Sequence, residues 1–213
     1  MAPNDDLAAD LADERRALAD LLESLTPEQW QTQTLCAAWD VHQMAAHLLA
    51  PTEGSTGLLL RLMVRSRGNV DRLGLLVTEH FADLPPEELV ARIRANAEVD
   101  TAPPFVGMLG PYTDALVHGE DIRIPLGIVD DRPPTRWEPS LDFLLSRRAR
   151  FGFLPSAAPA LTYAATDLTW TRGAGPRVEA PAAALALALT GRAPRLDELV
   201  GPGARLLRAF ALR

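Results

Sequence analysis

The sequence contains no lysine. All 21 basic residues are arginine, and with abundant alanine, proline and leucine this composition indicates a GC-rich genome more than a particular chemistry. The 28 acidic residues outnumber the arginines, and the resulting formal charge of −7 argues against a nucleic-acid partner.

Cysteine and long apolar runs are also scarce. The single cysteine, Cys36, excludes an internal disulfide. The alanine- and leucine-rich stretch at residues 181–189 is far shorter than the roughly 20 residues that span a bilayer. Residues 1–6 are acidic and lack the basic and apolar regions of a secretory signal peptide. These absences predict a cytoplasmic protein with no membrane partner.

The first 130 residues show helical patterning in four places. Leucines recur at three- and four-residue steps over residues 6–25, and Asp40 with Gln43 predicts a capping box before a second helix that Pro51 kinks or ends. A third helix begins at residues 85–86, and a fourth begins at residues 110–111 and is expected to end before Pro125. The stretch from 54 to 81 gives no clear boundaries. We predict an up-and-down four-helix bundle over residues 1–130.

The remaining residues, 131–213, have a different character. A helix near residues 138–150 is followed by short strand-like runs at 161–166, 168–171 and 177–180, with a glycine-rich turn between them. Residues 181–189 predict a helix closed by Gly191. We therefore predict a mainly α protein with a small C-terminal α+β domain.

Three side chains are candidates for a metal site. Asp114 and His118 stand four residues apart before a Pro/Gly stop, so a helix places them on one face. His47 lies at the margin of the apolar stripe of the second helix. Two histidines and one carboxylate leave a fourth coordination position open, as in catalytic zinc sites. Alternatively, His47 is an ordinary hydrogen-bonded residue, as lone histidines usually are. Asp114 and His118 would then form a local ion pair on the helix.

Further polar and aromatic residues have more than one interpretation. Asp121, three residues after His118, is either a partner that orients the imidazole or an ion-pair partner of Arg123. We interpret the remaining candidates as structural residues. Packing residues are Cys36, Trp39, Trp137 and Trp170. His42 and His80 are expected to be exposed.

Several blocks of the sequence resemble a known family. They are LTPEQW at 25–30, TLCAAW at 34–39, AHL at 46–48, VHGEDIR at 117–123 and ATDLTW at 165–170. Together these blocks are similar to those of the mycothiol-dependent maleylpyruvate isomerase family, within the DinB-like superfamily of metal-binding bundles. The resemblance covers nearly the whole chain.

The resemblance implies a divalent metal, usually zinc, held at His47, Asp114 and His118. At Asp114 the family's isomerase has glutamate, so this carboxylate is shorter by about one methylene. The resemblance also implies an arginine at the substrate, and by position Arg192 is its counterpart, although an arginine after a helix C-terminus is commonly an ordinary surface residue.

The resemblance also implies a function, and the chemistry of these residues suits it. We expect a metal-dependent thiol enzyme that activates mycothiol as a metal-bound thiolate for isomerisation or S-transfer on a small electrophile. Its partners would be a small-molecule thiol and a small electrophilic substrate. Metal coordination would supply the nucleophile without a protein cysteine. The alternative is a non-catalytic metal-binding bundle with a structural, regulatory or protein-interaction role.

Overall fold

The computed structural model describes residues 3–54, 56–100, 102–103, 105–154 and 156–213. Met1 and Ala2, at the start of the segment tested above for a signal peptide, lie outside the described residues. Contacts divide the chain into a bundle unit, Met1–Pro103 with Asp114–Asp130, and a C-terminal unit, Pro104–Thr113 with Asp131–Arg213. The segment 104–113 thus belongs with the C-terminal unit. A boundary between independently folding domains after residue 130 stays a prediction.

Helices dominate the bundle unit. They are α1 (Pro3–Glu23), α2 (Val41–Glu53), α3 (Thr56–Ser66), α4 (Val70–Phe81), α5 (Pro86–Ala95) and α6 (Leu109–Leu126), of which α6 is shared with the C-terminal unit up to Thr113. Helix α1 packs against α5, α2 against α4 and α5, and α3 against α4. Helices α3 and α4 are additions to the four that the sequence predicted. They fill the stretch from 54 to 81 where the pattern gave no boundaries.

One apolar core holds these helices together. Its fully buried members come from α1, α2, α5 and α6 and include Leu22, Met44, Leu49, Leu89 and Ile122. Burial of each such side chain contributes about 1.5–3 kcal/mol. Because α2 is anchored through two of them, the position of His47 on that helix is well fixed.

Helix α2 begins at the predicted capping box. An Asp40 carboxylate oxygen accepts a hydrogen bond from the Gln43 main-chain N–H at 2.8 Å, and the Gln43 side chain accepts one from the Asp40 N–H at 3.1 Å. The helix continues through Pro51 to Glu53, so the proline does not end it. Pro51 has no N–H and cannot donate to the carbonyl of His47, four residues earlier.

Helix α6 does not end before Pro125, and that prediction was wrong. The helix includes Pro125 and stops at Leu126, where Gly127 adopts a left-handed conformation with φ of 67°. Pro125 leaves the main-chain carbonyl of Asp121 without its helical donor. The N–H of Leu35 donates to that oxygen instead, at 3.1 Å. A tertiary hydrogen bond thus compensates for the proline inside the helix.

The C-terminal unit combines a small sheet with short helices. Strands β1 (Thr162–Ala165), β2 (Thr171–Gly173) and β3 (Arg177–Ala180) form a sheet of order β2-β1-β3, with β1 antiparallel to β2 and parallel to β3. Its helices are α7 (Glu138–Leu144), α8 (Ala182–Leu189) and α9 (Ala204–Ala211), and every residue of α8 is buried. The sequence did not predict helix α9. It placed the second strand at 168–171, whereas β2 begins at Thr171. The predicted class, mainly α with a small C-terminal α+β part, is confirmed.

The described helices give no membrane segment. None of them has both the length and the hydrophobicity needed to cross a lipid bilayer.

Candidate metal centre

Two helices of the bundle unit bring three potential metal ligands together. His47 comes from α2, and Asp114 and His118 come from α6. One carboxylate oxygen of Asp114 lies 3.2 Å from Nε2 of His118, and the other lies 3.4 Å from Nε2 of His47. Within the described part of the chain, this is the one set of three histidine, cysteine or acidic side chains whose ligand atoms all fall within 4.8 Å of one another. The carboxylate therefore lies between the two imidazoles.

The separations suit one small cation. Zinc binds histidine nitrogen and carboxylate oxygen at about 2.0–2.2 Å, which places ligand atoms of a tetrahedral site roughly 3–4 Å apart. The side chains of His47, Asp114 and His118 are 18%, 22% and 9% exposed. A partly exposed set of three ligands allows a further molecule to reach a fourth coordination position.

Asp121 orients one of the imidazoles. Nδ1 of His118 donates a hydrogen bond to Oδ2 of Asp121 at 2.7 Å, and the Asp121 side chain is fully buried. Because Nδ1 carries the hydrogen, Nε2 of the neutral ring is the atom left to coordinate a metal. This hydrogen bond has the geometry expected of an orienting partner of His118.

The charges of the site favour a bound cation. Burial alone would lower the pKa of His118, but Asp114 and Asp121 outweigh it and raise the pKa to about 9. Burial alone would raise the pKa of Asp114, but His118 and His47 hold it well below its usual range. At neutral pH and without a metal, these shifts favour a protonated His118 paired with the Asp114 carboxylate. A divalent cation would displace that proton.

Two residues that the sequence did not assign to the metal site lie against His47. The indole of Trp39 stacks on the His47 imidazole, with ring centroids 4.4 Å apart and planes 27° apart, and meets His118 edge-on at 6.0 Å. Oγ1 of Thr78, on α4, lies 3.5 Å from Nδ1 of His47. Trp39 does pack against the core. Its interpretation as only a packing residue was incomplete.

The other residues considered in the sequence have different local surroundings. Arg192 is in the C-terminal unit, where its main-chain N–H donates to Leu187 and its guanidinium to the carbonyl of Thr190 at 2.7 Å. Its role at a substrate stays a prediction. His80 is exposed, as predicted, whereas His42 is half-buried with Nε2 2.9 Å from the carbonyl oxygen of Leu84. Cys36 is half-buried at the margin of the core, which agrees with a packing role.

The N-terminal part of the chain matches a known family. Residues 11–103 match the mycothiol maleylpyruvate isomerase N-terminal domain. The resemblance to this family that the sequence blocks suggested is confirmed over that range. The matched range contains His47, whereas Asp114 and His118 follow it in the sequence. No curated protein sequence matches the chain.

Solved structures extend the similarity beyond the matched range. A crystal structure of the mycothiol-dependent maleylpyruvate isomerase is 13% identical to this chain, with a TM-score of 0.62, and the alignment covers 95% of this chain and 94% of that one. A histidine-to-alanine mutant of the isomerase is 14% identical, with a TM-score of 0.58 and the same coverage. At this level of identity the similarity establishes the fold.

Proposed function

We propose that this protein is a metal-dependent thiol enzyme that activates mycothiol as a metal-bound thiolate for isomerisation or S-transfer on a small electrophile. The observation that carries the proposal is the position of the Asp114 carboxylate, which lies between the Nε2 atoms of His47 and His118. Nδ1 of His118 donates a hydrogen bond to Asp121, so Nε2 is the nitrogen left to coordinate a metal. Mycothiol enters the proposal from the family domain that residues 11–103 match and from the solved isomerase structure that the fold resembles.

The proposed ligands each have a defined task. His47, Asp114 and His118 would hold a divalent ion, most simply zinc, because two imidazoles and one carboxylate form a common catalytic donor set. When bound, the ion would lower the pKa of a coordinating thiol, so that the sulfur reacts as a nucleophile at neutral pH. Asp121 keeps the proton on Nδ1 of His118 and thereby keeps Nε2 available.

Asp114 is able to serve where the sequence resemblance implies a glutamate. Its two oxygens already lie 3.2 and 3.4 Å from the two imidazole nitrogens, so the shorter side chain still reaches the centre of the site. Asp114 lies one turn before His118 on the same face of α6, and this places its carboxylate next to the imidazole. The substitution is thus compatible with a three-ligand site.

The proposal is tested by measuring thiol binding with and without metal. Isothermal titration with mycothiol should show saturable binding to the zinc-loaded protein and much weaker binding after chelation. Cys36→Ser is the matched control and should bind as the wild type does, because the proposed sulfur anchor is the ion and not the cysteine. Equal binding by chelated and zinc-loaded protein would rule out the thiol-activation mechanism.

A turnover assay then addresses the reaction. Maleylpyruvate is the first electrophile to test because the solved relatives are maleylpyruvate isomerases. Isomerisation without net mycothiol consumption indicates an isomerase, whereas consumption with other electrophiles indicates an S-transferase. A protein that binds zinc but neither mycothiol nor any electrophile would instead support the non-catalytic role.

A further inference from the structure

We propose that Trp39 is the positioning residue of His47, holding its imidazole in the orientation that presents Nε2 to the metal site. The inference rests on the proposed metal site and adds a residue to it. It makes the loop before α2 part of the metal centre.

The two histidines differ in how they are held. His118 donates to a fully buried carboxylate at 2.7 Å, a short charge-assisted hydrogen bond that fixes its ring. Among the hydrogen bonds of the described residues, Nδ1 of His47 has the hydroxyl of Thr78 as its partner, at 3.5 Å. A hydrogen bond of that length is weak and restricts the rotation of the His47 ring little. A further contact is needed to hold the ring in one orientation.

The indole of Trp39 provides that contact. Its centroid lies 4.4 Å from that of His47 with the planes 27° apart, so the two rings overlap in a nearly parallel stack. Rotation of the imidazole about its bond to Cβ would break this stack. In the stacked orientation, Nε2 lies 3.4 Å from the Asp114 carboxylate. The stack and the ligand geometry thus select the same ring orientation.

Hydrogen bonds hold the loop that carries Trp39 in place. Gln33 pairs with Asp40 as an isolated antiparallel bridge, and the hydroxyl of Thr34 donates to the carbonyl of Trp39 at 2.6 Å. The N–H of Leu35 donates to the carbonyl of Asp121, which Pro125 leaves open. Asp121 therefore anchors the loop through its main chain and orients His118 through its side chain.

Helix α4 lies behind the indole. A Cβ atom added at Gly74 would lie 3.9 Å from Cη2 of Trp39, an ordinary van der Waals distance. The indole thus lies near Gly74 of α4 on one side and stacks on the His47 ring. These surroundings suit a residue that holds another side chain in place.

The test compares zinc affinity in tryptophan variants by competition with a chromophoric chelator. Trp39→Leu should bind zinc about two- to tenfold more weakly than wild type, the range expected for the loss of one aromatic pair. Trp39→Phe keeps an aromatic ring and should lose less. Trp30→Leu is the matched control, because Trp30 contacts His42 edge-on at 5.9 Å rather than a proposed ligand, and its zinc affinity should equal that of wild type.

A second readout does not depend on metal. In proton NMR spectra of the chelated protein, the carbon-bound ring protons of His47 should be shifted upfield by the stacked indole. The shift should disappear in Trp39→Leu and persist in Trp30→Leu. Absence of the upfield shift in the folded wild type would show that the stack does not form in solution and would overturn the positioning role.

The outcomes separate this inference from the proposed function. If wild type binds zinc and Trp39→Leu binds it equally well, the positioning role is wrong and the metal site stands. Equal losses in Trp30→Leu and Trp39→Leu would also overturn it, since the effect would then be general to the bundle. Failure of the wild type to bind zinc would overturn both proposals.

Discussion

His118 donates its Nδ1 hydrogen to Asp121 across 2.7 Å, while its Nε2 faces the Asp114 carboxylate at 3.2 Å. The two acids on α6 thus contact opposite edges of one imidazole. This difference in position predicts different consequences when each is removed.

Removal of the Asp114 carboxylate should abolish stable zinc binding, because it takes away one of three proposed protein ligands. Asp114→Glu should retain the ion, since it keeps a carboxylate on the same turn of α6. Zinc content after gel filtration, measured by plasma mass spectrometry, checks both variants. Full zinc occupancy in Asp114→Ala would remove this residue from the ligand set.

Removal of the Asp121 carboxylate should weaken zinc binding without changing its stoichiometry. Asp121→Asn loses the charge that fixes the His118 ring, and partners of this kind typically contribute about 10- to 100-fold to metal affinity or activity. Competition titration against a chelator gives the affinity. If Asp121→Asn loses the ion entirely while Asp114→Ala keeps it, the ligand assignment on α6 must shift towards its C-terminal end.

The stability of the chelated protein should decrease as the pH rises above neutrality. The pKa of His118 is raised from 6.5 to about 9, so the folded protein keeps a proton that the unfolded chain releases. Protonation of His118 stabilises the folded protein fully below pH 6.5, and this stabilisation is lost as the pH rises through about 9. A pKa shift of this size corresponds to about 3 kcal/mol of unfolding free energy.

Thermal unfolding of chelated wild type and His118→Gln measures this effect. Between pH 6.5 and 9 the wild-type Tm should fall more steeply than that of the variant, which lacks the titrating group. Parallel Tm curves for the two proteins would show that His118 does not carry the shifted proton.

Arg192 should affect the reaction and leave the metal in place. It lies in the C-terminal unit, whereas all three proposed ligands lie in the bundle unit. Arg192→Ala is therefore expected to bind zinc with wild-type stoichiometry and to reduce turnover, with partial recovery in Arg192→Lys. Unchanged turnover in Arg192→Ala would leave this arginine as an ordinary residue after α8.

Local sequence rules predicted the parts of the site that lie on single helices. The capping box at Asp40 placed the start of α2, and the four-residue spacing placed Asp114 beside His118. Both depend only on residues within one turn of each other.

What the sequence missed depends on tertiary contacts. The end of α6 was misplaced because the rule for Pro125 takes no account of Leu35, which is distant in sequence and supplies the missing hydrogen bond. Helix α4 was not delimited, so Thr78 could not be recognised as a neighbour of His47. The stack of Trp39 on His47 likewise follows from a loop whose path only the structure shows.

Zinc stoichiometry in wild type, His47→Ala and His118→Ala tests the central claim most directly. The wild type should purify with, or take up, about one zinc per chain, and each variant should bind none stably, because each lacks one of three protein ligands. Circular dichroism of the variants confirms that the helices are retained. Full zinc occupancy in both folded variants would contradict the proposed metal centre and the thiol chemistry built on it.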